Sequence, residues 1–126
     1  MQDLRFDILA KFTPAHRLLR KNGFNHVIRA ENVANKHFKI FFTRNSEQNA
    51  RLGMIVGKKT ISGATGRNRL KRFIRETFRQ HSIKLCKLDM VVMVRRADAQ
   101  EFDAHAINLK MLFSRIENRC AELLSS

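Results

Sequence analysis

Residues 58–79, KKTISGATGRNRLKRFIRETFR, gather the side chains of this sequence best suited to chemistry. Eight cations (Lys58, Lys59, Arg67, Arg69, Lys71, Arg72, Arg75 and Arg79) stand against one acid, Glu76. That stretch carries half of the formal net charge of +14. Guanidinium forks match phosphate oxygens in pairs and stack on bases, so arginines in this density point to a polyanion. The spacing says where they face. Projected at ~100° per residue, Leu70, Phe73, Ile74, Thr77 and Phe78 share one side of a helix. Asn68, Arg72, Arg75 and Arg79 share the opposite side, with Arg67, Arg69 and Lys71 at the boundary. The apolar side fixes such a helix to a core, and the basic side becomes an outward comb. Ordinary solvated faces interleave both signs of charge, and this one barely does.

Other chemistries have less to work with. The five histidines (His16, His26, His37, His81 and His105) are scattered, and no two have a ligand or acid–base spacing. Asp3, Asp7, Asp89, Asp98 and Asp103 do not cluster, so a protein-held pair of Mg²⁺ ions is not expected. Cys86 and Cys120 form no CxxC pair and join no Cys/His cluster, which argues against zinc and for reduced, buried thiols in a cytoplasmic protein. No Walker loop or GxGxxG motif occurs. The chain reads as built to hold RNA or DNA rather than to cut it.

The elements that position the comb follow from periodicity. Arg17 to Ala30 reads as a short helix, with Asn22 as cap and Phe24, Val27 and Ile28 on one face. Residues 1–16, with Pro14, read as an N-terminal arm, and 17–126 as one RNA-binding α/β domain. Lys36 to Arg44 alternates as a strand, with Phe38, Ile40 and Phe42 on one side and Lys39, Phe41 and Thr43 on the other. A shorter strand is expected around Asn32–Asn35, and NSEQNA after Arg44 is turn chemistry. Arg51–Gly57 reads as an apolar, central strand, and TISGATG as the loop into the arginine helix. Leu88–Arg95 is apolar enough to be buried on both faces. A last helix, from about Asp103 to Leu124, carries Ala106, Leu109, Phe113, Ile116, Cys120 and Leu123 as a core stripe. Helix, two or three strands, helix, strand, helix makes an α+β sandwich with helices against one sheet.

The 126 residues suffice for one core, and ten Phe help to fill it. A pI near 11.1, with 25 Lys+Arg against 11 Asp+Glu, points first to nucleic acid. No apolar run approaches a membrane span, so no membrane partner is expected.

Three segments resemble the protein subunit of bacterial ribonuclease P. RLGMIVGKK (51–59), a seven-residue loop and RNRLKRFIRETFR (67–79) follow that family's strand–KK–loop–RNRxKRxxRExFR pattern. RLLRKNGFNHVI (17–28) is similar to its first helix, and LDMVVMVRR (88–96) to its last strand. The resemblance implies an αβββαβα sandwich on a mostly antiparallel four-stranded sheet, with a left-handed βαβ crossover. It also implies a role: cofactor protein to a catalytic RNA that removes the 5′ leader of precursor tRNA with Mg²⁺. The catalytic RNA and precursor tRNA are then the partners, the metals are held mainly by RNA, and the protein is a monomer in a 1:1 ribonucleoprotein.

By position, Arg67, Asn68 and Arg69 fall on the family's RNR motif, and Lys71, Arg72 and Arg75 continue it. Phe24 falls on the first aromatic of a leader-binding cleft, Ile28 where many members have a second aromatic, and Phe41 where some have Tyr. The chain departs from the family in having Ile28 there, no Tyr or Trp, and Glu31 where a Gly often ends the first helix. A structural RNA-binding protein of ribosomal type is the alternative reading of the same charge and size. Co-purification with ribosomes, rather than with one structured RNA, would mark it.

Overall fold

The computed structural model describes residues 17–18, 24–56, 63–95 and 102–125. The arm 1–16, the cap Asn22 and the cations Lys58 and Lys59 lie outside the described residues. Element order is α1 (Phe24–Ile28), β1 (Glu31–Ala34), β2 (Phe38–Arg44), β3 (Arg51–Ile55), α2 (Ala64–Gln80), a 3₁₀ turn (Ser82–Leu85), β4 (Leu88–Val94) and α3 (Phe102–Ser125). The four strands form one sheet in the order β1-β2-β4-β3. β1–β2 and β2–β4 are antiparallel, while β3 runs parallel to β4 across the α2 crossover. The α+β sandwich on a mostly antiparallel sheet is thus the observed fold.

Register sorts the side chains onto two faces. Phe38, Ile40 and Phe42 of β2, Leu52 of β3, and Leu88, Met90, Val92 and Val94 of β4 all point into one buried cluster. Leu70, Ile74 and Phe78 of α2 close it from above, with Leu109, Leu112, Phe113 and Ile116 of α3. Leu112 is a core residue that the expected stripe on α3 omitted. Phe113 sits edge-on to Phe78, with centroids 6.2 Å apart at 73°, a favoured aromatic geometry. Thr77 lies in this apolar surface and is 5% exposed. Its hydroxyl donates to the Phe73 carbonyl at 3.0 Å, so no polar group is stranded there.

The other face carries the register row Asn32, Phe41, Val91 and Gly53. A smaller cluster of Leu18, Val27 and Val91 covers it, with Phe24, Phe41 and Ile55 half-buried around them. Gly53 is required here by close approach. A Cβ at that position would stand 2.3 Å from the Phe24 ring, so the glycine makes room for the aromatic.

Three expectations are corrected. Arg17 does not begin a helix: it makes a parallel bridge to Leu52, and the Leu18 N–H donates to the Leu52 carbonyl at 3.0 Å. Phe24–Ile28 is the helical part among the described residues. β3 is not central either. It is the outermost strand after β4, and its apolar character is explained by α2 on one face, Phe24 on the other and residues 17–18 along its edge. Finally, the arginine helix begins earlier than expected, at Ala64. Gly63 precedes it with φ 94°, a left-handed conformation that suits glycine.

Candidate nucleic-acid interface

α2 forms because its apolar residues recur at helical spacing and dock on the closed face of the sheet. Leu70 and Ile74 are fully buried and Phe78 nearly so, which fixes the helix in rotation. The opposite side therefore faces outward: Asn68, Arg69 and Arg72 are exposed, and Arg67, Lys71, Arg75 and Arg79 are half-buried. The first turn of α2 holds no acid, the residue type that would favour the helix dipole there. Arg67 and Arg69 lie close behind it, so side-chain charge and helix dipole add into one positive end.

The row of cations is not uniform. Arg79 is bound by Glu76, with Nε donating to Oε2 at 2.6 Å and Nη2 to Oε1 at 2.8 Å. That fork satisfies the arginine within the helix and depresses the Glu76 pKa, chiefly through the hydrogen bonds. Arg75, one turn earlier, is the opposite case. Its Nε is shielded from solvent and has no hydrogen-bond partner among the described residues. Its pKa is lowered first by burial and then by the cations Arg17 and Arg72. Arg17 belongs to this group although it lies 58 residues before Arg75 in sequence. Sequence reasoning missed it, because in a helix it would have pointed elsewhere.

The less covered face of the sheet supplies a second surface. Phe24 from α1 and Phe41 from β2 meet around Val91, with Ile55 beside them. Lys39 Nζ stands 5.1 Å from the centroid of the Phe41 ring, a cation–π contact. Ile28 is 37% exposed and is not part of this cluster, so the structure joins two of the three residues matched to the cleft. Val27, with no exposure, anchors α1 instead. Gly53 was also missed. Its signal was a glycine in an apolar strand, on the face that alternation assigns to Phe41.

One register row further along the same face, Asp89 is clamped rather than free. Arg51 Nε and Nη2 donate to its two carboxylate oxygens, both at 2.7 Å, and Asn45 Nδ2 donates to Oδ1 at 2.9 Å. The fork raises the Arg51 pKa, and its hydrogen bonds commit the carboxylate to structure. His81 is likewise engaged: Nδ1 accepts from the Ile83 N–H at 3.0 Å, and burial lowers its pKa. Among the described residues, no group of three or more His, Cys, Asp or Glu side chains could hold a metal ion. Cys86 and Cys120 are free thiols, both with pKa values raised by burial. No helix among the described residues is long and apolar enough to cross a membrane.

Comparison with known proteins gives a consistent result. The family model described as Ribonuclease P matches residues 12–117. The ribonuclease P protein component of Chromobacterium violaceum is 36% identical over 118 residues, covering 92% of this chain and 97% of that protein. That of Legionella pneumophila is 36% identical over 101 residues, covering 79% and 86%. Among solved structures, the RNase P protein of Thermotoga maritima superposes with a TM-score of 0.68 at 30% identity, over 79% of this chain and 96% of that one. A Staphylococcus aureus RNase P protein mutant with defective mRNA degradation activity gives 0.74 at 28% identity, over 92% and 98%.

Proposed function

The chain belongs to the ribonuclease P protein family, and from that premise we propose that it binds the catalytic RNA and the 5′ leader of precursor tRNA. One observation carries this reading: α2 turns its basic residues away from the closed core, and the other face of the sheet leaves Phe24 and Phe41 only half-buried. Arg67, Asn68, Arg69, Lys71 and Arg72 are the contacts proposed for structured RNA and for substrate near the cleavage site, with Lys58 and Lys59 extending them. Phe24 and Phe41 are proposed to stack on unpaired leader nucleotides, which any base can satisfy with its π-face. Arg79, held by Glu76, contributes less.

The protein is proposed to carry no catalytic group of its own. Asp89 and His81 are engaged in the fold, which leaves neither ready for proton transfer at a phosphate. The Mg²⁺ ions of hydrolysis are then held mainly by RNA phosphates, and the protein acts by lowering the local negative charge and holding the leader. A monomer in a 1:1 cytoplasmic ribonucleoprotein completes the proposal.

Reconstitution tests it. The protein, mixed with the ribonuclease P RNA of its organism and a leader-bearing precursor at low Mg²⁺, should speed leader removal. Alone it should cleave nothing at any Mg²⁺ concentration. Arg67→Ala with Arg69→Ala should weaken assembly and make the log–log salt slope shallower by ~0.7–0.9 per lost phosphate contact. Folding should change by less than ~0.5 kcal/mol, since both side chains lie outside the apolar stripe. An unstimulated RNA, or an unaltered salt slope, would refute the reading.

A further inference from the structure

We infer that Arg17, Arg72 and Arg75 clamp one backbone phosphate of the precursor's single-stranded leader, at the β3 edge where the aromatic face of the sheet meets the arginine side of α2. The inference rests on the RNA-binding role proposed above and adds to it a residue, a ligand atom and a place. Arg75 is the starting point, because its Nε is withdrawn from solvent without an acceptor among the described residues. A buried donor left unpaired is destabilising, and the two neighbouring cations make the guanidinium costlier still. Among the described residues none of the three guanidiniums is ion-paired, in contrast to Arg79, which Glu76 neutralises. A phosphate would neutralise the repulsion and accept from the guanidinium N–H groups that remain open to solvent.

Backbone geometry indicates which phosphate. Arg17 is held to the outer edge of β3 by its bridge to Leu52. The carbonyl of the next residue, Leu18, lies 3.1 Å from the point where a Gly53 Cβ would stand, and the Phe24 ring crowds the same point. Arg17 is therefore one residue from the wall of the aromatic surface and within electrostatic reach of the comb. A strand stacked on Phe24 and leaving over this edge would pass Arg17 and enter the electrostatic range of Arg75 and Arg72.

The test uses the reconstituted holoenzyme with Arg17→Ala, Arg17→Lys, Arg75→Ala and the double alanine variant. Each is matched for melting temperature and measured on precursor with a leader of several nucleotides and on leaderless tRNA. Arg17→Ala should weaken binding of the leader-bearing precursor about tenfold, the scale of a lost charge-assisted hydrogen bond. The salt slope should become shallower by ~0.7, as for one single-strand phosphate. Leaderless tRNA and assembly with the catalytic RNA should be unaffected, and Arg17→Lys should recover part of the loss. The double variant should lose less than the sum of the two singles, because both act on one phosphate. A methylphosphonate placed at one leader position should make wild type and Arg17→Ala bind alike. Equal losses on leaderless tRNA, weakened assembly, or no change at all would overturn the clamp. If Arg67→Ala with Arg69→Ala weakens assembly while Arg17→Ala is silent, the clamp alone fails. If both are silent, the RNA-binding reading fails with it.

Discussion

The two faces of the sheet differ in what covers them, and the difference separates folding from binding. On the closed face, two long helices seal a cluster in which Phe38, Ile40, Ile74, Met90, Val92, Leu109, Phe113 and Ile116 have no exposure at all. On the other, a five-residue helix and Leu18 cover only the centre, leaving Phe24, Phe41 and Ile55 half-buried. Aromatic rings are costly to leave wet, and the same sequence that buries Phe38, Phe78 and Phe113 completely does not bury these two. The closed face carries most of the buried core, and the partly covered face keeps the half-buried rings that the proposed leader contact would use.

Breaking the closed face should have the largest effect. Phe113→Ala removes a fully buried ring that packs on Phe78 and should cost ~3–5 kcal/mol in denaturant unfolding. RNA affinity per folded molecule should be unchanged. A smaller loss, or an affinity defect that survives correction for the unfolded fraction, would blur the division. Asp89→Ala comes next and sharpens the comparison, because it lies on the binding side yet is structural. It leaves Arg51 without its fork and frees the Asn45 turn between β2 and β3. Removing one partner of a mostly buried pair should cost about 3 kcal/mol, again without a specific RNA defect.

The smallest effect belongs to His81, at the far end of α2 from the basic end. Burial, with Lys110, lowers its pKa below the usual 6.5, against the opposing pull of Glu117. The folded state therefore prefers the neutral ring, which can accept from the Ile83 N–H. Its contribution is present in full above the unfolded pKa and is lost as pH falls from there through the folded pKa. Between about pH 7.5 and 5.5, part of the fall in melting temperature should vanish in His81→Gln. RNA binding at fixed folded fraction should not follow it.

Much of this was legible from residue spacing. Alternation in KHFKIFFTR assigned Phe38, Ile40 and Phe42 to the core and Phe41 to the other face. Helical periodicity separated Leu70 and Ile74 from Asn68 and Arg72 on α2. The unbroken apolar run MVVMV, residues 90–94, announced a strand covered on both sides. What remained hidden depended on non-local partners. RLGMIVG looks central because it is apolar after Arg51, and only tertiary packing shows that it is an edge strand covered by other elements. Arg17 sits in a run that fits a helix by composition, yet its backbone pairs with Leu52 instead. Arg79 and Arg75 look equivalent in a helical projection. One is paired by Glu76 at i−3 while the other feels the repulsion of two cations, and the second relation involves a residue far away in the chain.

The central claim is that the half-buried rings hold leader RNA rather than the fold, and Phe24→Ala tests it most directly. The measurement is the affinity of the reconstituted holoenzyme for precursor with and without a leader, taken beside the melting temperature of the protein. The account predicts a loss of ~1–3 kcal/mol for leader-bearing precursor alone, with melting lowered by only a few degrees, because the ring is half-buried over Gly53. Equal losses on both RNAs, with unfolding weakened by ~3–5 kcal/mol, would make Phe24 a core residue and contradict the account.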